Sequence, residues 1–423
     1  MRSTRGIGVV LAMALALLLP GVWGVRPTGG APAGGITIEY WHIFSETFGG
    51  PVLRSVVSRF NESQGSVRVV ERLQPGGYIG LLQSLQAAIA ARTPPAVAVI
   101  GYNFTEFVID TFPHKPAQEF PGWKELLAGF APRVVAFGQK HGRQHGIPYS
   151  LSVPVMFYNA DLFRAAGLDP DRPPATWEEV LQAALAIRAR TGKFGVFLWN
   201  RDTFVIQSLV ESAGGAFMSL DNRRVTVNAP ANREALQFYS DLVNVHRVTP
   251  LATSDEAQAS FLRGEIAMHV ASIANLENFQ RSARFTLRTA AFPTFGTRPR
   301  RVVAGGNNLF VFALDPRQQE AAWKLIRYLV SADGLSRWTT GLGYLSPLRR
   351  MVEAQKVRPL NPLARPALET LDAVVRWTNF PGSQGPQAER AILDAVTAIL
   401  SGRTPVAQAL DEAQARITDL VGR

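Results

Sequence analysis

The stretch from Gly146 to Val180 constrains this chain most, because it reads as a crossing between two folded units. A Pro-flanked extended run leads into the apolar segment Val153 to Tyr158, which predicts a strand. A short helix, a turn at Gly167 to Pro170 and a second helix follow. Because α/β patterns lie on both sides, we expect the chain to pass here from one lobe to a second.

The residues before the crossing alternate between strand-like and helix-like patterns. Strands are predicted at Ile36 to Trp41, Val67 to Leu73 and Pro95 to Ile100, and apolar residues at helical spacing lie between them. A strand–helix–strand–helix–strand order favours a parallel, doubly wound sheet.

Ligands of such sheets bind beyond the carboxyl ends of the strands. Those ends are Trp41 to Phe48, the Pro75 to Tyr78 turn, and Gly101 to Phe104, and all three carry aromatic residues. The pattern therefore predicts an aromatic-lined crevice at this edge of the sheet.

Length and composition restrict the class of protein. At 423 residues the chain is too long for one core, and two domains of about 150–200 residues are expected. The absence of cysteine excludes disulfides, thiol chemistry and the lipid-bearing cysteine of a bacterial lipoprotein. The net charge of +11 comes from scattered basic residues without interleaved aromatics, so we expect no nucleic-acid partner.

The first 24 residues read as a signal peptide. Arg2 and Arg5 give a basic start, Ile7 to Leu19 is apolar, and Val22 and Gly24 are small residues near the expected cleavage site. This apolar run is short for roughly 30 Å of hydrocarbon, although an uncleaved anchor is the alternative. Residues 25–35, rich in Pro, Gly and Ala, then predict a flexible linker.

After the crossing, Thr176 and Glu179 predict a capping box, and Thr404 with Pro405 predicts the start of a late helix. Several segments here resemble those of extracellular solute-binding proteins of ABC importers, in the sugar- and glycerol-3-phosphate-binding branch related to maltose-binding protein. They are Pro148–Trp177, Ser260–Ser272, Val302–Phe312, Gly341–Pro347 and Thr404–Ile417.

The resemblance implies an α/β, two-lobe periplasmic-binding-protein fold. Each lobe would be a mainly parallel doubly wound sheet, and a hinge would join the lobes around a central ligand cleft. We expect residues 36–147 plus 307–348 to form the N-terminal lobe, and residues 148–306 plus 349–423 the C-terminal lobe. The hinge would lie near 147–153 and 303–308.

A cleft that binds sugars or polyols needs aromatic faces for C–H surfaces and a few polar groups for hydroxyls. The resemblance places fifteen residues in that role: Trp41, His42, Tyr78, Tyr102, Asn103, Tyr149, Ser150, Ser152, Trp199, Asn200, Phe204, Ser272, Gly306, Asn307 and Tyr344.

The sequence departs from the glycerol-phosphate branch in three places. The paired tryptophans of that branch are reduced here to Trp199 and Phe204. That branch carries a phosphate-binding arginine ahead of the last helices, but no basic residue lies between Arg376 and Arg390. Tyr102 stands near where the branch carries an acidic residue. A neutral sugar or polyol is therefore as well supported as glycerol 3-phosphate.

Catalytic and metal signals are weak. His141 and His145 lack the glutamate of a zinc hydrolase, and no nucleophile elbow, P-loop or dinucleotide fingerprint is found. We expect an exported, periplasmic, monomeric binding protein without a cofactor, which delivers its solute to the transmembrane subunits of an ABC importer. The alternatives are an exported carbohydrate hydrolase and a sensor or adhesion module on the same fold.

Overall fold

The computed structural model describes residues 35–422, so the expected signal peptide and all but the last residue of the linker lie outside the described residues. The strands are β1 (Ile36–His42), β2 (Val67–Leu73), β3 (Val97–Gly101), β4 (Gln139–Lys140), β5 (Arg143–Gln144), β6 (Ile147–Ser152), β7 (Pro154–Asn159), β8 (Phe194–Leu198), β9 (Ile266–Ser272), β10 (Leu287–Ala291), β11 (Val302–Val303), β12 (Gly305–Val311) and β13 (Val374–Val375).

The helices are α1 (Gly50–Ser63), α2 (Gly77–Ala90), α3 (Thr105–Thr111), α4 (Trp123–Ala128), α5 (Pro132–Val135), α6 (Ala160–Ala165), α7 (Trp177–Thr191), α8 (Thr203–Ser212), α9 (Pro230–Asn244), α10 (Ser254–Leu262), α11 (Leu276–Ser282), α12 (Pro316–Leu329), α13 (Ala332–Leu342), α14 (Arg349–Val357), α15 (Arg365–Thr370), α16 (Gly385–Leu400) and α17 (Val406–Val421). None of the helices in the described part of the chain is both long and apolar enough to cross a bilayer.

The first sheet has five strands in the order β2-β1-β3-β12-β6. Strand β1 runs parallel to β2 and β3, as the predicted strand–helix–strand pattern requires. Strand β3 is buried along its whole length, which explains its uninterrupted apolar sequence. The hydrophobic core around this first sheet includes Tyr40, Val99 and Trp338.

The second sheet has four strands in the order β10-β7-β9-β8. Its own core is built on the fully buried strand β7 and on Trp177, which begins α7. Two sheets with two hydrophobic clusters agree with the two cores that the length of the chain predicts.

The sheets are less parallel than expected. Strands β1 to β3 pair in parallel, as do β8 and β9, but β12 is antiparallel to β3 and β6, and β7 is antiparallel to β9 and β10. The antiparallel strands lie at or beside the crossings between the sheets, where no βαβ unit sets their direction. The expectation of mainly parallel sheets is corrected to mixed sheets.

Helix starts show what short patterns predict well. The side chain of Thr176 accepts from the Glu179 N–H, and the Glu179 carboxylate accepts from the Thr176 N–H. The predicted capping box of α7 is therefore confirmed. The predicted Thr404 cap is wrong, because Pro405 occupies the cap position of α17 and no side-chain capping bond forms.

Candidate functional site

A cleft of about 1370 Å³ opens where the two sheets meet. Its floor is backbone and small side chains from the strand ends at the crossings. Ser152 ends β6, Gly305 and Gly306 begin β12, and Ser272 ends β9. Because β6 pairs with β12 at Ser152 and Gly305, and β7 pairs with β9 at Pro154 and Ser272, both crossings converge on this floor.

The three strand ends of the first sheet contribute to the cleft, as the topology predicts. They supply Ile43, Ser45, Thr47 and Phe48 after β1, Pro75 to Tyr78 after β2, and Asn103 with Phe104 after β3. These loops form one wall.

Aromatic rings line both walls. On the side of the first sheet, Tyr344 packs edge-on to Phe48 with ring centroids 6.3 Å apart, and Tyr78 lies nearby in the lining. On the opposite side, Phe204 packs against Trp377 at 5.3 Å, beside Trp199. Apolar ring faces on two walls suit the C–H surface of a flat, hydroxylated ligand.

Gly306 has both a conformational and a spatial reason to be glycine. Its φ of 128° is a conformation that other residues rarely adopt, and a Cβ there would lie 2.0 Å from the carbonyl oxygen of Ser150. The backbone of β12 therefore approaches β6 closely and presents its peptide groups to the cleft.

A buried carboxyl group lies in the cleft lining at Glu389 in α16. Its Oε2 accepts from Asn103 Nδ2 at 2.6 Å, and its Oε1 accepts from the Thr203 hydroxyl at 3.2 Å. Burial raises the pKa of Glu389 to about 7, an effect opposed by the Asn103 hydrogen bond and reinforced by the negative charge of Asp202. The group thus links the loop after β3 to the start of α8.

Asp202 is the second carboxyl group at this end of the cleft. It caps α8 by accepting from the Phe204 N–H at 3.1 Å. Burial raises its pKa, while the bonds from Phe204 and the Trp199 side chain act in the opposite direction.

The basic residues of the cleft lining lie at its rim. They are Arg201, Arg390 and Arg416, and each side chain is more than half exposed. Each is paired with a carboxylate: Arg201 with Asp255 at 3.4 Å, and the other two with Asp394 at 2.9 Å.

The structure brings eight of the fifteen predicted residues together in the cleft lining. They are Tyr78, Asn103, Ser152, Trp199, Phe204, Ser272, Gly306 and Tyr344. The other seven, Trp41, His42, Tyr102, Tyr149, Ser150, Asn200 and Asn307, lie outside the lining and contact other parts of the protein.

Two of those seven precede the first cleft loop. The Trp41 indole donates to Glu39 at 2.9 Å, next to it on the same face of β1. His42 is buried, contacts Glu71 through Nε2 at 2.8 Å and accepts from the Phe44 N–H through Nδ1. Burial lowers the pKa of His42, so the neutral ring holds the start of the loop in place.

Three others are buried under the floor. The Tyr102 hydroxyl donates to the Ser150 carbonyl at 2.8 Å, and the Ser150 hydroxyl accepts from the Trp338 indole at 2.9 Å. The Tyr149 ring stacks on Trp338 at 5.1 Å. Because of these contacts, the three side chains are part of the buried core beneath the crossing.

The last two support residues of the lining. Asn200 accepts from the Ser254 hydroxyl at 2.8 Å, which fixes the loop that carries Trp199. Asn307 donates to the Tyr78 hydroxyl at 3.1 Å and so orients that ring.

Sequence reasoning missed Glu389, Asp202 and Trp377. Asp202 stands in the polar tip after β8, directly before the capped start of α8, and this pattern could have found it. Glu389 lies within α16, whose sequence has one other acidic residue, Asp394, and no local pattern distinguished Glu389 from an ordinary surface carboxylate. Within residues 35–422, no group of three or more His, Asp or Glu side chains is arranged to hold a metal ion.

The model of the family described as bacterial extracellular solute-binding protein matches residues 55–363, about three quarters of the chain. The chain belongs to this family. This solute-binding protein is 26% identical over 325 residues to the sn-glycerol-3-phosphate-binding periplasmic protein UgpB of Yersinia pestis, and the match covers 73% of each chain.

Solved structures share the architecture of this solute-binding protein. The GacH receptor of Streptomyces glaucescens superposes with a TM-score of 0.82 at 20% identity, covering 92% of this chain and 99% of the other. UgpB from Mycobacterium tuberculosis, solved with glycerophosphocholine, gives 0.80 at 22% identity, covering 92% and 98%. The predicted two-lobe α/β periplasmic-binding-protein fold is confirmed.

Proposed function

We propose that this chain captures a carbohydrate or glycerol-phosphate-type solute between its lobes and delivers it to the transmembrane subunits of an ABC importer. The observation that carries the proposal is the cleft between the sheets, with aromatic rings on both walls and strand-end peptide groups on its floor. The relatives named above bind sn-glycerol 3-phosphate and glycerophosphocholine, which supports solutes of this class.

The proposed lobes are residues 36–147 plus 307–348 and residues 148–306 plus 349–423. Strands β6 and β12 contain the boundaries and form the floor of the cleft, so a small rotation about them moves one aromatic wall toward the other. A solute that contacts both walls binds the closed form better and shifts the population toward it.

The chain is proposed to act outside the cytoplasm as a monomer. The extracellular family, the signal-like first 24 residues and the lack of cysteine support a cleaved, non-lipidated, periplasmic protein. Closure would then present a new surface to the importer.

We propose no chemistry on the solute. A glycosidase needs one ionised and one protonated carboxyl group on opposite sides of a bond. Here Asp202 caps α8 by accepting from the Phe204 N–H, and Glu389 accepts from Asn103 and Thr203, so each carboxyl group holds parts of the protein together at this end of the cleft. Release of products from a bound oligosaccharide would contradict this assignment.

The direct test is a thermal-shift panel of mono- and disaccharides, polyols, glycerol 3-phosphate and glycerophosphodiesters. A ligand at about 100 times its Kd adds roughly 2.7 kcal/mol to the free energy of unfolding. For lobes of this size we expect the midpoint to rise by roughly 5–10 °C. A panel without any shift would contradict the proposed ligand class.

Trp199→Ala and Trp41→Ala form a matched pair for the same panel. Trp199 lines the cleft, whereas Trp41 lies outside its lining. We expect Trp199→Ala to abolish the ligand-induced shift and Trp41→Ala to retain it. Equal loss in both variants would mean that the cleft is not where the ligand binds.

A further inference from the structure

We infer that the buried end of the cleft, around Asn103, Asp202 and Glu389, selects an uncharged hydroxylated group and rejects a phosphoryl group. This inference rests on the proposed function and names the part of the solute that enters first. It differs from what is expected of relatives that bind sn-glycerol 3-phosphate.

The hydrogen-bond donors at this end of the cleft already have partners within the protein. The Asn103 amide nitrogen and the Thr203 hydroxyl both donate to Glu389, and the Trp377 indole donates to the Thr203 oxygen at 2.8 Å. These donors are therefore directed at protein partners.

The hydrogen-bonding atoms that remain available at this end of the cleft are acceptors. Asn103 Oδ1 is buried without a partner, although the residue lines the cleft and is only 5% exposed. Each Glu389 oxygen accepts one described side-chain bond, and a carboxylate offers about four lone-pair sites. An unpartnered buried acceptor is costly, so this end is completed by a ligand that donates.

Sugar and polyol hydroxyls donate hydrogen bonds, whereas an ionised phosphoryl group only accepts them. A phosphoryl group placed here would face two carboxyl groups and an unpaired amide oxygen. Removing its charge from water without a cation partner is unfavourable. Within residues 35–422, Arg201, Arg390 and Arg416 form their ion pairs with Asp255 and Asp394 and not with Asp202 or Glu389. The positive charge of Arg201 acts on Asp202 only as a minor effect that opposes the rise of its pKa by burial.

The cations of the cleft lining that could contact a phosphoryl group, Arg201, Arg390 and Arg416, lie at the rim. Their exposure and their existing carboxylate partners make those contacts weak.

The test compares neutral ligands with their phosphate esters by calorimetry at about pH 8, where Glu389 is largely ionised. The pairs are glucose with glucose 1-phosphate, maltose with maltose 1-phosphate, and glycerol with sn-glycerol 3-phosphate. We expect the protein to bind the neutral member of its best pair at least tenfold more tightly.

Glu389→Gln should lower the affinity for the neutral ligand about tenfold. It should also reduce the ratio of that affinity to the affinity for the phosphate ester, because the side chain loses its charge and keeps its shape. Asp202→Asn is the second variant, since asparagine caps a helix as well as aspartate does. Glu353→Gln, an exposed residue of α14, is the matched control and should leave both affinities unchanged. Circular dichroism and the unfolding midpoint verify that each variant folds.

The outcomes separate the two proposals. If a phosphate ester binds more tightly than its neutral partner, or Glu389→Gln weakens both members equally, the inference is wrong and the proposed function stands. If no member of any pair binds, the proposed solute class is wrong, and the inference falls with it.

Discussion

Glu389 holds its proton more tightly in the folded chain than in the unfolded one. Its pKa rises from an ordinary value of 4.5 to about 7 because burial penalises the charged form. Between these values the folded state binds more protons than the unfolded state, so this group lowers stability as the pH rises. Most carboxylates that pair with cations act in the opposite direction.

Glu389→Gln should remove this pH dependence. We expect the variant to gain stability relative to the wild type between pH 5 and pH 8, by on the order of 2–3 kcal/mol, since one pKa unit corresponds to about 1.4 kcal/mol. Urea unfolding midpoints of both proteins at the two pH values measure the difference. Parallel shifts of both midpoints would mean that Glu389 does not titrate in this range.

The sequence predicted the loops of the site better than its side chains. Strand ends follow from topology, and all three loops of the first sheet reach the cleft. In β6 the sequence alternates, with Ser150 and Ser152 on one face and Tyr149 on the other. Because every residue of this strand is buried, the alternation did not show which side chain faces the ligand. In β1 the alternation is visible, and it places Trp41 on the opposite face from the core residue Tyr40.

At the scale of elements, the short local signals were reliable and strand direction was not. Capping depends on four consecutive residues and was predicted correctly for α7. The antiparallel entry of β12 between β3 and β6 depends on contacts between residues that are more than 150 positions apart, which no local window contains.

Thr176→Ala should lower the free energy of unfolding by about 1 kcal/mol, because it removes the acceptor for the Glu179 N–H at the start of α7. Thr404→Ala is a matched control, since Thr404 precedes α17 without a side-chain capping bond. Chemical denaturation of both variants measures the contrast. Equal destabilisation would show that the capping box contributes nothing beyond what a threonine near any helix start provides.

At the scale of the whole molecule, the lobes are joined by strands that also form the floor of the cleft. Ligand binding is therefore expected to reduce the overall dimensions. For the 388 described residues, size scaling gives a radius of gyration of about 21 Å. Small-angle X-ray scattering should show a smaller radius at saturating ligand, and Trp199→Ala should show no change under the same conditions. Identical curves with and without bound ligand would contradict hinge closure.

Strand β12 has a consequence for the order in which this protein can fold. It lies between β3 and β6, yet Gly305 follows Gly101 by 204 positions. A chain that has emerged only as far as β10 leaves the facing edges of β3 and β6 unpaired, and open edges recruit other strands. The first lobe can be completed only after most of the chain is available. The first lobe of such a chain remains incomplete until late in synthesis, which is compatible with export of the chain before that lobe has folded.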